Sequence, residues 1–131
     1  MLGRIGSHFE DLLRKWLPYY NEELRTERLT MAKNACEYDL AHIPFYMKRG
    51  LYFHAFERLY IAFQKILQAL FISAKVYPIS YTKWIRLQVE TWLERPDLYA
   101  RLPSIISVSD IESDEIGDKI KLIKELLDHA Q

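Results

Sequence analysis

The sequence predicts an all-α protein, an up-and-down bundle of about five helices with a long central hairpin at Gly50. Two observations carry the prediction. Glycine occurs only at positions 3, 6, 50 and 117, and no stretch alternates apolar and polar residues long enough for a half-buried strand. Apolar residues instead recur at three- and four-residue spacings, the period of a helix face. The 131 residues are half hydrophobic and 27% charged, which suits one domain over residues 1–131 that buries its own core without a disulfide or structural metal.

An N-terminal helix is expected from about Ser7 to Leu17. Asn21 is placed to cap a second helix, whose first turn holds Glu22 and Glu23 against the positive end of the dipole. Leu24, Met31, Ala35 and Tyr38 read as its inner stripe, and Pro44 should kink or break it. Lys48-Arg49-Gly50 reads as a helix end, with cations near the last carbonyls and glycine supplying a left-handed residue. The clearest segment runs from Leu51 to Tyr77. It places Phe53, Phe56, Tyr60, Phe63, Leu67, Leu70 and Ala74 on one stripe. A second stripe carries Ala55, Ala62 and Ala69 beside Leu59 and Ile66, small enough for another helix, or a second copy of the chain, to approach closely.

After Tyr77-Pro78, Ser80 reads as the cap of the next helix, with Ile79 and Trp84 spaced for a hydrophobic staple. That helix would bury Trp84, Ile85, Val89, Trp92 and Leu93 and stop near Arg95-Pro96. A short piece from Asp97 to about Ile106 and a polar connection from Ser107 to Ser113 follow. A last helix presents Ile116, Ile120, Ile123 and Leu127 to the core.

Lys and Arg number 18 and Asp and Glu number 18, so the whole chain offers no general argument for binding nucleic acid or membrane. The zero is a cancellation. Residues 1–39 hold 6 bases and 7 acids, residues 40–95 hold 8 and 3, and residues 96–131 hold 4 and 8, giving balances of −1, +5 and −4. The basic middle also contains 12 of the 18 aromatic residues, mixing cations and rings where an anionic ring-bearing ligand could be held. The alternative is that the rings are core and the cations a solvated helix face. Ile66 to Ala74, nine residues, is the longest aliphatic stretch without a charge, far short of the roughly twenty that span a bilayer. No secretory signal is visible, and the single Cys36 suits a reducing compartment. A cytoplasmic protein is expected.

No phosphate loop, Gly-x-Ser-x-Gly elbow, His-Glu-x-x-His or calcium loop is present. Asp110, Glu112, Asp114, Glu115 and Asp118 are explained by helix capping and solvation more simply than by a metal. No metal or cofactor is expected. Arg49 and His54 have the Arg-x4-His spacing of small helical ribonucleases of the nucleotide-binding type found in higher eukaryotes and prokaryotes. The resemblance implies an arginine that binds phosphate and a histidine that handles the proton of the attacking hydroxyl.

A longer pattern is Lys75-Val-Tyr77-Pro-Ile-Ser-Tyr81-Thr-Lys83-Trp84. Together with Tyr38-Asp39-Leu40, Lys48-Arg49-Gly50, Ala55 and the apolar run from Ala62 to Ile72, it resembles the helical domain that follows the catalytic domain in kanamycin nucleotidyltransferase-like enzymes. The likeness covers most of residues 20–95. It implies an accessory bundle that closes one side of a substrate cleft, while a nucleotidyltransferase catalytic domain, in cis or in trans, brings the metal and the nucleotide. Gly6-Ser7 does not supply that catalytic site, because Glu10 and Asp11 follow too closely and on a helix. Carried over by position, Arg49, Lys75, Tyr77, Tyr81 and Lys83 would face the cleft and contact a nucleotide or another anion, with Trp84 a staple in the core. The function expected is a non-catalytic substrate-binding or partner-docking domain; the alternatives are the Arg49–His54 ribonuclease and a homodimerisation module.

Overall fold

The computed structural model describes the backbone of residues 2–131 and the side chains of residues 8–19 and 21–131. Helix α1 is Leu2–Trp16, and a 3-10 turn, Pro18–Tyr20, links it to α2, Glu22–Lys48. Helix α3 is Tyr52–Ser73, α4 is the single turn Ile85–Leu87 running into a π-helical turn Gln88–Trp92, α5 is Pro96–Ile106 and α6 is Glu115–Leu127. Among the described residues there is no strand, so the all-α reading holds, and no helix is long and apolar enough to cross a membrane.

The α2–α3 hairpin is the spine of the molecule. Asn21 caps α2 as its side chain accepts from the Leu24 N–H at 3.1 Å. At the other end Gly50 takes φ +72°, the Gly50 N–H reaches the Met47 carbonyl at 3.0 Å and the Leu51 N–H reaches Tyr46 at 2.9 Å. Those two bonds are the Schellman closure that turns the chain back on itself. The paired helices bury Leu40 and Ile43 of α2 with Leu59, Ile66 and Leu67 of α3, and α6 and α5 add Ile116, Ile123, Leu102 and Ile105 to the same continuous core. Cys36 lies inside it and donates its thiol to the Ala62 carbonyl at 3.4 Å. The Asp39 carboxylate, nearly buried, accepts from the Arg58 guanidinium at 3.1 Å across the hairpin.

Several expectations are corrected. Pro44 neither breaks α2 nor ends it. Proline removes one N–H and crowds the carbonyl four residues back, a cost of about 3 kcal/mol, but Leu40 and Ile43 in the turn before it are fully buried and hold the helix in place while Pro44 faces outward. The inner face of α2 is Leu29, Ala32, Cys36, Leu40 and Ile43; Met31 and Tyr38 are 56% and 63% exposed. In α3 the buried side is the Ala55/Ala62/Ala69 stripe, extended by Phe63, Leu67 and Leu70, whereas Phe53 is exposed and Phe56 and Tyr60 are partly buried. The three alanines are completely covered within the chain, so that stripe is not open to a second copy. Ile120 of α6 is only partly buried, and Leu126 takes a core place beside Ile116, Ile123 and Leu127.

The largest departure lies between α3 and α5. Helix α3 ends at Ser73 rather than Tyr77, and the helix expected from Ser80 begins only at Ile85. Trp84 takes a left-handed conformation and is 66% exposed, Ile79 is exposed, and Trp92 is exposed as well, so neither the staple nor an aromatic core forms there.

Candidate functional site

Residues 74–84 form a non-helical junction whose conformation is fixed from several sides. Its first bend repeats the Gly50 closure with a different residue. Lys75, at φ +60°, takes the left-handed position, its N–H reaching Ile72 and the Val76 N–H reaching Phe71. A non-glycine side chain in that region costs on the order of 1–2 kcal/mol. Trp84 at φ +59° and Glu94 at φ +55° carry the same strain, and among the described residues these three are the non-glycine residues with positive φ. All three fall between α3 and α5.

The group that holds the junction is Gln88, which the sequence alone did not single out. Its side chain is completely buried. The Oε1 atom accepts from the Ile79 N–H at 2.6 Å, and Nε2 donates to the carbonyls of Ser80 and Lys83, both at 2.9 Å. One amide thus satisfies three backbone groups that no helix or strand satisfies. Ser80 does cap, but it caps the loop: its Oγ accepts from the Thr82 and Lys83 N–H groups at 3.0 and 3.1 Å. The π-helical turn at 88–92 widens the helix at the residue that must point back into the junction.

Three tyrosines tie the junction to the α1–α2 link. The Tyr77 ring stacks on Tyr19 with centroids 3.9 Å apart, and the Tyr77 hydroxyl oxygen accepts from the Tyr19 N–H at 3.1 Å. The Tyr19 and Tyr81 phenols lie close enough to influence each other electrostatically, and the Tyr81 ring meets Phe71 edge-on. Burial, helped by Tyr81 and Tyr77, pushes the Tyr19 phenol well above its ordinary range, and burial also raises Tyr81. Both phenols therefore stay neutral donors at physiological pH.

Beside the junction a cavity of about 270 Å³ opens between α3, the junction and α5. Tyr60, Tyr81 and Tyr99 bring three phenol rings to its wall, Phe63 and Leu102 give it an apolar floor, and Thr82 adds a hydroxyl. Arg86 stands at this edge with its guanidinium 5.5 Å above the Tyr99 ring, held by Glu90 at 3.0 Å. A larger cleft of about 400 Å³ between α2 and α6 is lined by Glu37, Asp128 and Lys124 with Ala41 and Leu127; it has no ring, and its acids outnumber its cation.

The five positions carried over from the nucleotidyltransferase-associated pattern do not share one pocket. Arg49 precedes α3, whereas Lys75, Tyr77, Tyr81 and Lys83 follow it, and 22 helical residues span about 33 Å. Of the five, Tyr81 lines the cavity. Lys83 is exposed and adjoins Thr82 in the cavity wall, and Lys75 faces outward with Glu22 at 3.6 Å. The Arg25 hydrogen bond, more than Lys75, holds the Glu22 carboxyl below its usual range. Comparison with protein-family models, curated proteins and solved structures finds no match.

At the hairpin end, Arg49 lies over the Phe45 ring at 4.1 Å, while His54 meets the Tyr46 ring edge-on at 4.1 Å and approaches Glu57 at 3.6 Å. Each member of the Arg-x4-His pair is thus engaged with its own aromatic neighbour. Among the described residues no group of three or more His, Cys, Asp or Glu side chains gathers as a metal site. In the acidic connection, Glu115 accepts from the N–H and hydroxyl of Ser109 and from the Asp110 N–H, which ties the loop to the start of α6; Asp114, at the N-cap position, makes no side-chain cap bond, so the expected capping by these acids is not seen there.

Proposed function

We propose that the protein is a non-catalytic helical domain that serves a nucleotidyltransferase catalytic domain, in cis or in trans, by holding substrate or docking that partner at its 74–84 junction. The observation that supports this reading is the construction of the junction itself. A buried glutamine fixes three backbone groups, and three strained left-handed residues are retained around it, although strain of about 1–3 kcal/mol each is ordinarily tolerated where a binding or catalytic surface needs it. Lys75, Lys83 and the exposed Trp84 are displayed on this segment next to the tyrosine-lined cavity. The basic balance of residues 40–95 suits an anionic substrate or partner. In this reading the partner supplies the metal and the nucleotide donor, this chain holds the acceptor substrate, and the setting is the cytoplasm, where Cys36 stays a thiol.

The test is titration of the full chain with nucleotides, with RNA and with a candidate catalytic domain over a range of salt. Salt-sensitive binding that is weakened by charge reversal at Lys75 and Lys83 is expected. Absence of salt-sensitive binding to all three overturns the reading. RNA cleavage abolished by His54→Ala would instead establish the Arg49–His54 ribonuclease.

A further inference from the structure

We propose that the cavity between Tyr60, Tyr81 and Tyr99 holds the base of a nucleoside monophosphate, with the ring inside against the phenols and the phosphate at the rim near Arg86 and Lys83. This inference rests on the substrate-holding reading and adds where the substrate is gripped and by which part.

Size sets the first limit. At about 270 Å³ the cavity is just below the roughly 300 Å³ at which pockets enclose a whole drug-sized ligand. It takes one ring system and leaves the rest of the molecule outside. The walls set the second. Three phenols with Phe63 and Leu102 offer aromatic faces and aliphatic floor to a flat ring, and the Thr82 hydroxyl offers a hydrogen bond to the polar edge that a nucleobase has and a plain hydrocarbon lacks. Stacking a base on an aromatic side chain contributes about five- to hundredfold in affinity.

Charge at the rim sets the third. Arg86 already stands over Tyr99, and Lys83 follows Thr82 in the chain. The carboxylate of Glu90 holds Arg86 at 3.0 Å, so two cations and one anion leave a net single positive charge. That excess suits a monophosphate and disfavours a triphosphate, whose extra charges would meet Glu90.

The full chain is titrated with AMP, GMP, CMP and UMP, and with ribose phosphate and inorganic phosphate, while the ring resonances of Tyr60, Tyr81 and Tyr99 are followed by NMR. At least one nucleotide should shift all three rings saturably, whereas ribose phosphate and phosphate should leave them in place. Ile106→Trp, which fills the cavity from its α5 side, should weaken binding at least about tenfold, the share that stacking supplies. Arg86→Gln, at an exposed position, should weaken it by up to about fivefold and flatten its salt dependence. Tyr99→Leu keeps the apolar volume and removes the ring, so it reads the stacking even if the tryptophan variant does not fold.

Failure of all four nucleotides to shift the tyrosines, an equal shift with ribose phosphate, or unchanged binding in Tyr99→Leu overturns the assignment. If the nucleotides fail while a catalytic domain still docks, the base site falls and the accessory-domain reading stands. If a nucleotide binds in the cavity and no catalytic domain docks, the base site stands without that partner.

Discussion

Replacing Gln88 with alanine removes one side chain and strands three backbone groups. The Ile79 N–H and the carbonyls of Ser80 and Lys83 lose bonds of 2.6, 2.9 and 2.9 Å, all made by a completely buried amide. A net hydrogen bond contributes about 1 kcal/mol, and a buried group left unpaired costs that or more. The partly buried backbone can recover some water, so a total of about 3 kcal/mol is expected. For a chain of this length that is a fall of about 10 °C in Tm. Urea unfolding gives the free energy, and amide exchange locates it: the Ile79 N–H should exchange far faster in Gln88→Ala, while Cys36 and Ile66 amides in the hairpin keep most of their protection. Gln88→Glu should be worse than its shape suggests, because one carboxylate oxygen can still accept from Ile79 but the other faces two carbonyls with no proton to give. A loss below about 0.5 kcal/mol, or unchanged protection of Ile79, would refute the claim that this amide holds the junction.

The two Schellman closures should respond oppositely to substitution. Gly50→Ala meets no atom within 4 Å but forces a methyl-bearing residue to φ +72°, for a loss of about 1–2 kcal/mol, whereas Lys75→Gly should gain up to about 1 kcal/mol in thermal unfolding, part of the relief being offset by the freer unfolded chain. Burial, with help from Asp39, pushes the Cys36 thiol up to about 12, so disulfide reagents at pH 8 should modify it only in urea; modification at a free-thiol rate in buffer would contradict its placement. The Asp110 N–H, followed by the Ser109 hydroxyl, lowers the pKa of Glu115 in the folded chain. A depressed carboxylate stabilises above its unfolded pKa and loses that contribution as pH falls through the folded value. Amides of Ser109 and Asp110 should accordingly lose protection on acidification below about pH 4, and in Glu115→Gln that pH dependence should be absent.

Much of the helical frame was legible in the sequence because its signals are local. Asn21 with Glu22 and Glu23, and Lys48-Arg49-Gly50, each mark a helix end within a few residues, and the hairpin follows from them. The buried face of α2 was not legible, since its apolar side chains are spread around the circumference and only packing against α3 chooses among them. In the 74–84 segment the local signals mislead. Ser80 has the chemistry of a helix cap and Ile79 and Trp84 the spacing of a staple, but Gln88 competes for the same backbone and wins by satisfying three groups from inside. A π-helical turn has no sequence signature that would have pointed to it. Tyr81 was found from its motif; Tyr60 and Tyr99, its partners at the cavity, come from α3 and α5, and no pattern in one segment can announce a meeting with two others.

The two bends at the ends of α3 should also form in a definite order. At Gly50 the turn uses the residue that adopts it without strain, and the helices it joins are neighbours in sequence, so loop closure is cheap and the hairpin can serve as the folding nucleus. At Lys75 the same closure opposes its residue's preference, and its stability depends on Gln88 and on contacts with Tyr19 that arrive from distant parts of the chain. The junction should therefore form late and open first, as a separate unit of lower stability than the hairpin. A ligand seated against Tyr81 would then be read out as slowed opening of residues 74–94, with the hairpin exchanging as before.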